Sequence, residues 1–258
     1  MSDLTPHWDL RATYQGPEFH HWANAEGLNP AERFLIENYL TPNRSTLEAG
    51  VGGGRILRGL AGLGFEDRHG FDNAPALIEH ARQKDPLHEM AYLVQDARNL
   101  SYPDDCFDQA IYLQQIISLI GDEEGRRKAV SEAKRVLKPG GTALFSFLCY
   151  DLSQRSLPHR AMTAFLTCSR TLRFRAATPQ FVPWLRVGEK FNYRALLDRP
   201  PYGYWFRIEE AVSLLIAQDF KITAMGTKPQ TEGKLCSSLE GLKREPLGGL
   251  MLYVVCRK

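Results

Sequence analysis

Leu47 to Arg55 reads L-E-A-G-V-G-G-G-R, four glycines within five residues, directly behind the polar break Thr41-Pro42-Asn43-Arg44-Ser45. Glycine reaches positive φ and lets another group approach the main chain, at a cost in conformational entropy, so such a cluster marks a tight turn or a close approach. A flexible surface loop is the bland alternative. Apolar residues flank the cluster on both sides, however, whereas loops of that kind are polar. Before it, S-T-L-E-A-G (45–50) reads as a short strand; after it, R-I-L-R-G-L-A-G-L-G (55–64) has helical spacing and a closing glycine. Strand, glycine turn and helix make the first half of a βαβ unit.

The pattern continues outward. P-A-E-R-F-L-I-E-N-Y-L (30–40) places apolar groups at 34, 35, 36, 39 and 40 behind a starting proline, an amphipathic helix. R-H-G-F-D (68–72) is a second strand, and A-P-A-L-I-E-H-A-R-Q-K (74–84) a second helix. M-A-Y-L-V-Q-D-A and F-D-Q-A-I-Y-L-Q-Q-I-I follow as strands. E-E-G-R-R-K-A-V-S-E-A-K-R-V-L is a helix stopped by Lys138-Pro139-Gly140-Gly141, and T-A-L-F-S-F-L-C-Y is a strand buried on both faces. Short strands alternating with helices imply an α/β fold with a mainly parallel, doubly wound sheet.

Composition narrows the class. The 258 residues, 43% hydrophobic and 24% charged, are those of an ordinary globular chain, which excludes a disordered or fibrous protein. A net charge of +2 supplies no global field for nucleic acid or an anionic membrane. The five cysteines are scattered without a C-x-x-C pair, which reads as reduced thiols in a cytoplasmic protein. Neither a signal peptide nor an 18-residue apolar span is expected. His20 and His21 are adjacent and so point apart, and no metal site is expected there.

In open parallel sheets ligands bind beyond the carboxyl ends of the strands, over a glycine turn. The dinucleotide fingerprint G-x-G-x-x-G is broken, because Arg55 stands where its last glycine belongs. What remains is Glu48 at a strand end, then Gly50, Gly52 and Gly54, then Asp72 at the tip of the second strand. A carboxylate there can accept hydrogen bonds from both hydroxyls of a ribose. It could instead cap the helix starting near Pro75.

These residues resemble the class I S-adenosylmethionine-dependent methyltransferases of small molecules. L-E-A-G-V-G-G-G-R is similar to the family's first motif, where the turn of Glu48, Ala49, Gly50 and Gly52 lies under the methionine part of the cofactor and the acidic residue holds the loop or the amino group. H-G-F-D-N resembles the second-strand motif, which implies Asp72 on the ribose and Asn73 beside the adenine. Q-D-A-R-N-L-S-Y-P-D-D-C-F-D resembles the third, with Asp96 accepting the adenine amino group and Ala97 at the ring edge. Y-L-Q-Q-I-I-S-L-I matches the fourth strand, with Leu113 and Gln114 near the methionine, and R-V-L-K-P-G-G-T-A-L-F-S-F leads into the fifth. The resemblance resumes in F-R-I-E-E-A-V-S-L-L-I-A-Q-D-F-K-I-T and L-M-L-Y-V-V-C, and it implies a seven-stranded sheet closed by an antiparallel hairpin. It implies S-adenosyl-L-methionine as cofactor and S-adenosyl-L-homocysteine as product. The histidine or glutamate pair of many small-molecule members is absent, since the matching stretch is Gln114-Gln115-Ile116-Ile117-Ser118.

The division expected is a lid over 1–29, with Tyr14 and Trp22 folding over the cofactor or packing on the first helix, a cofactor-binding core over 30–150, an inserted helical cap over 151–203, and a C-terminal helix and strands over 204–258. Between Asp151 and Pro200 nine basic residues face three acidic ones, a local charge of +6, with aromatics interleaved. That composition suits a small acidic acceptor clamped by arginine; it equally suits a solvated helical face. RNA or tRNA methylation and a non-catalytic cofactor-binding partner or sensor are the competing readings, and no recognised RNA module or continuous basic run accompanies the first. His159, in the cap, is the candidate general base because histidine titrates near neutrality.

Overall fold

The computed structural model describes residues 10–14, 16, 18–87, 89–172, 179–188 and 190–258. Its centre is a seven-stranded sheet of β1 (Thr46–Ala49), β2 (Arg68–Asp72), β3 (Ala91–Val94), β4 (Phe107–Tyr112), β5 (Leu137–Leu148), β6 (Lys221–Gly226) and β7 (Met251–Arg257), in the order β6-β7-β5-β4-β1-β2-β3. The first five strands are parallel; β7 runs antiparallel between β5 and β6. Strands that alternate with helices must return by a crossover, which keeps them parallel and covers both faces. The last two strands escape this rule. They form the expected antiparallel hairpin, and the chain between them carries only a 3₁₀ turn and a five-residue helix.

Two short helices, α1 (Leu10–Tyr14) and α2 (Phe19–Asn24), precede α3 (Pro30–Tyr39), which starts on a capping box between Asn29 and Glu32. Helices α4 (Arg55–Ala61), α5 (Pro75–Gln83) and α6 (Glu123–Val136) cross between the strands. Asp122 caps α6 by accepting from Gly125 N at 2.6 Å. The period of two along the central strands makes two cores. Tyr112 and Phe145 pack with Val136 on one face, and Ile111 and Leu144 pack with Ile36 and Leu57 on the other.

Helix α6 ends at Val136, as the Lys-Pro-Gly-Gly stop predicts, but β5 has already begun at Leu137. Its pairing jumps from Phe107↔Leu137 to Gln109↔Thr142, so the stop signal sits in a bulge, where Gly140 takes φ +77°.

The segment after β5 is less helical than its sequence suggests. It holds α7 (Tyr150–Ser153) and α8 (Leu157–Leu172), and then a strand Phe181–Pro183 paired antiparallel with Tyr202–Tyr204, a small hairpin and a 3₁₀ turn. Arg170 of α8 is buried here against Asp198, with Nε–Oδ2 at 2.9 Å and Nη2–Oδ1 at 2.6 Å, and it also donates to the Phe181 carbonyl at 2.7 Å. This arginine therefore holds the cap together. Helices α9 (Ile208–Ala217) and α10 (Leu239–Lys243) complete the chain. No helix among the described residues is long and apolar enough to cross a membrane.

Candidate functional site

The strand ends of β1, β2, β3 and β4 open into a cavity of about 300 Å³. At the exit of β1 the chain turns back, with Gly50 and Val51 N–H donating to the Phe71 carbonyl at 2.8 and 3.1 Å. Gly50, Gly52 and Gly54 take φ of +67°, +54° and +80°, which only glycine adopts without strain. The glycines also answer to contacts within the protein. A Cβ at Gly50 would stand 2.1 Å from Ile116, and one at Gly53 would stand 2.4 Å from the carbonyl oxygen of Ala23 in α2. Helix α2 is thus pressed on the turn, and Gly53 N–H donates to the Trp22 carbonyl at 3.1 Å.

Asp72 ends β2 inside this cavity. Its Oδ2 accepts from Gly52 N at 3.0 Å and its Oδ1 from Ala74 N at 2.9 Å, which ties the glycine turn to the start of α5. Burial raises its pKa, against the lowering effect of these backbone N–H groups. Each oxygen retains a second lone pair, so two acceptors remain for a vicinal diol. The capping and ligand roles of Asp72 are therefore compatible.

Asn73, Asp96, Ala97, Gln114, Tyr14 and Trp22 line the same cavity. Asp96 is gripped by Arg98, from Nε at 2.9 Å, Nη2 at 2.6 Å and its main-chain N–H at 2.9 Å, and this holds its carboxyl below the usual carboxylate range. Any further donor to Asp96 must share it with that guanidinium. Sequence reasoning missed Ile116, Gln95 and the Ile120–Asp122 loop, which close the far wall. Nothing in their residue types announces the role.

Glu48, Ala49 and Leu113 are buried and are not among the lining residues. Glu48 Oε2 accepts from Leu57 N at 3.1 Å, fixing the first turn of α4, so of its two expected roles the carboxylate performs the loop-holding one. Burial pushes its pKa up to about 8, with Arg55 opposing and Glu32 adding to the rise.

Arg55, the residue that broke the dinucleotide fingerprint, forms a two-pronged ion pair with Glu32, Nη1–Oε2 and Nη2–Oε1 both at 2.6 Å. Glu32 also accepts from Asn29 N at 2.8 Å and from the Gln114 side-chain amide. This cluster anchors Gln114, while Gln115 N–H donates to Ser146 Oγ at 3.2 Å; the two are successive residues at φ +56° and +67° just beyond β4. Left-handed backbone at such residues costs about 1–3 kcal/mol each and persists where the surroundings over-determine it.

A second cavity, of about 380 Å³, adjoins the first and shares Tyr14, Trp22, Gln114 and Leu119 with it. Its other walls include Met162 and Trp184 from the segment after β5, Glu18 and His21 from the start of α2, Leu148 at the end of β5, and Trp205. His159 lines it, with Nδ1 3.1 Å from Ser156 Oγ and its ring 5.7 Å from that of Trp205. Of the described basic residues of the cap, Arg186 alone borders the cavity, and it does so from an exposed position; Arg155, Arg160, Lys190, Arg194 and Arg199 face solvent. Arg173, Phe174, Arg175 and Glu189 lie outside the described residues. Glu18, unremarked in the sequence, is buried on the wall of this cavity.

A methyltransferase domain family model matches residues 47–145. A human protein, EEF1A lysine methyltransferase 2, is 29% identical over 158 residues, 54% of this chain and 65% of its own length. Malonyl-[acyl-carrier protein] O-methyltransferase of Salmonella typhimurium is 33% identical over 172 residues, 66% of this chain and 61% of its own. The chain thus spans just under two thirds of these curated relatives. Among solved structures, an S-adenosylmethionine-dependent methyltransferase of Methanosarcina mazei shares the fold at a TM-score of 0.63 and 22% identity, covering 90% of this chain and 98% of that one. The donor set fits S-adenosylmethionine, since the paired acceptors of Asp72 suit its ribose and the left-handed glycines leave the turn without side chains beneath it. Residues 47–145 thus match a methyltransferase domain, and the 3-2-1-4-5-7-6 sheet gives the chain the fold of an S-adenosylmethionine-dependent methyltransferase.

Proposed function

We propose that the protein transfers a methyl group from S-adenosylmethionine to a small acceptor held in the second cavity. The observation that carries this reading is the shared boundary of the two cavities at Tyr14, Trp22, Gln114 and Leu119. A cofactor seated on Asp72, Asn73, Asp96, Ala97 and the Gly50–Gly52 turn would present its reactive end there. The cofactor supplies an electrophilic sulfonium methyl. The chain's own part is to align the nucleophile with it and to exclude water, which accounts for most of the acceleration in transfers of this kind. The segment 1–29 and the cap 151–203 serve that exclusion. His159, which lines the acceptor cavity, is our candidate to take a proton when the nucleophile must lose one.

The names of the two curated relatives assign them a lysine and a malonyl carrier protein as acceptors, two different classes. The acceptor of this chain is therefore argued from its cavity, whose volume suits a compact molecule. An anionic group on that molecule would meet Arg186 on the rim rather than the converging arginines that the composition of the cap suggests. Dispersed, solvent-facing cap arginines do not form the continuous basic groove of an RNA-binding surface. Calorimetry with S-adenosylmethionine and S-adenosylhomocysteine, followed by an acceptor screen read as S-adenosylhomocysteine release, tests the reading. Absence of cofactor binding refutes it; binding without turnover of any acceptor favours a sensor.

A further inference from the structure

Glu18 occupies an unusual place. It stands at the start of α2, where Oε2 accepts from the Trp22 indole N–H of the same helix at 2.9 Å, yet its Oε1 reaches across to the cap and accepts from the main-chain N–H of Gly188. The residue is only 6% exposed and lies on the wall of the second cavity. Both of these donors are neutral. Neither donor offsets the charge of a carboxylate, and a buried charge is costly unless a cation completes it.

The surrounding wall is aromatic. Trp184 and Trp205 both line the cavity, and their indole nitrogens lie 3.6 and 3.7 Å from the position that a Gly203 Cβ would take, so the two side chains converge over that glycine. The ring of Tyr14 meets Trp184 edge-on at 6.1 Å. The remaining titratable groups on the wall are His21, His159 and Arg186. His21 and Arg186 are exposed and His159 is half-buried, which leaves Glu18 as the buried acidic side chain among the described residues of the cap and α2 wall. Aromatic faces around a carboxylate attract a cation, because the ring quadrupole and the carboxylate act in the same direction.

We propose that the second cavity takes an acceptor built from a flat apolar body and an amine, with Glu18 receiving the ammonium and Trp184 and Trp205 flanking it. This deepens the methyltransferase reading and rests on it. Glu18 then has two tasks, since the same carboxylate holds the N-terminal segment to the cap through Gly188. Chain closure and acceptor charge are thereby read by one group.

The test uses the full chain saturated with S-adenosylhomocysteine and three matched probes, phenethylammonium, 2-phenylethanol and phenylacetate, titrated by calorimetry. Phenethylammonium should bind at least about tenfold tighter than phenylacetate. Glu18→Gln keeps a carbonyl acceptor for one of the two contacts, Gly188 N–H or the Trp22 indole, and should erase that preference while leaving S-adenosylhomocysteine affinity within about threefold. Arg186→Gln should leave the preference standing. Tighter binding of phenylacetate, or an unchanged preference in Glu18→Gln, overturns the inference alone. Equal weakening of all three probes together with S-adenosylhomocysteine marks Glu18 as a strut and also overturns it. Failure of the unmodified chain to bind S-adenosylhomocysteine overturns the methyltransferase reading and takes this one with it.

Discussion

Replacement of Asp72 by asparagine is the sharpest probe of the cofactor site. The carboxylate already accepts Gly52 N–H on Oδ2 and Ala74 N–H on Oδ1, leaving one lone pair on each oxygen for the ribose. Asp72→Asn keeps the shape but turns one acceptor into a donor, so one ribose hydroxyl loses a hydrogen bond to a charged group. Such a bond contributes about 1.5–3 kcal/mol, which at 1.4 kcal/mol per decade is roughly a 10- to 150-fold rise in Kd for S-adenosylhomocysteine. The amide must also face either Gly52 N–H or Ala74 N–H, donor against donor. An unsatisfied buried N–H costs about 1–3 kcal/mol, offset in part because the variant no longer buries a charge. Calorimetry on the unmodified chain and the variant, each with S-adenosylhomocysteine and its 2′-deoxy analogue, forms a double-mutant cycle. The two losses should be less than additive, since both remove the same contact. If the folded variant binds S-adenosylhomocysteine within about threefold of the unmodified chain, the ribose assignment is wrong.

Three further outcomes follow from the geometry. Arg55→Met strands the Glu32 carboxylate, whose side chain is 2% exposed, at a cost of about 3–5 kcal/mol. This lowers Tm by on the order of 10 °C; adding Glu32→Leu should recover most of the loss, and scanning calorimetry that shows no recovery would refute the pairing. Gly53→Ala drives a Cβ to 2.4 Å from the Ala23 carbonyl and should lift α2 from the turn, seen as faster proteolysis of the N-terminal segment and weaker S-adenosylhomocysteine binding. Glu48, whose pKa burial pushes up to about 8 from an ordinary value of 4.5, binds its proton more tightly folded than unfolded. Its contribution to stability is therefore full below about pH 4.5 and is lost as pH rises through about 8. Glu48→Gln, which keeps an acceptor for Leu57 N–H, should gain Tm relative to the unmodified chain between pH 5.5 and 9, and a pH-independent difference would count against the assignment.

What was legible in the sequence is what local backbone chemistry enforces. Four glycines after an apolar strand mark a turn with left-handed residues wherever the chain goes next. Asp72 and Asp96 could be placed because a carboxylate at the C-terminal end of a parallel strand emerges on the ligand-binding edge of the sheet. The order of strands and helices likewise follows from period and punctuation. Lys138 to Gly141 shows the limit of such signals: the same residues that end a helix also fit a bulge, and pairing with β4 chose the bulge.

The rest belongs to contacts between distant segments. Arg55 in the sequence only excludes a dinucleotide; in the fold it is the partner of Glu32, 23 residues earlier, and through Glu32 it supports Gln114. The arginines of the cap form a cluster in sequence but not in space, because one is spent on Asp198 and most of the other described ones point to solvent, leaving Arg186 at the cavity. Glu18 carries no signal of its own in the chain, and its position opposite Gly188, 170 residues away, exists only once the lid lies against the cap. Sequence by itself determined the fold and the edge of the sheet that receives the cofactor, since those rest on local propensity and periodicity. Tertiary structure alone decided which charges face the acceptor, because burial and pairing are properties of neighbours that the chain brings together only on folding.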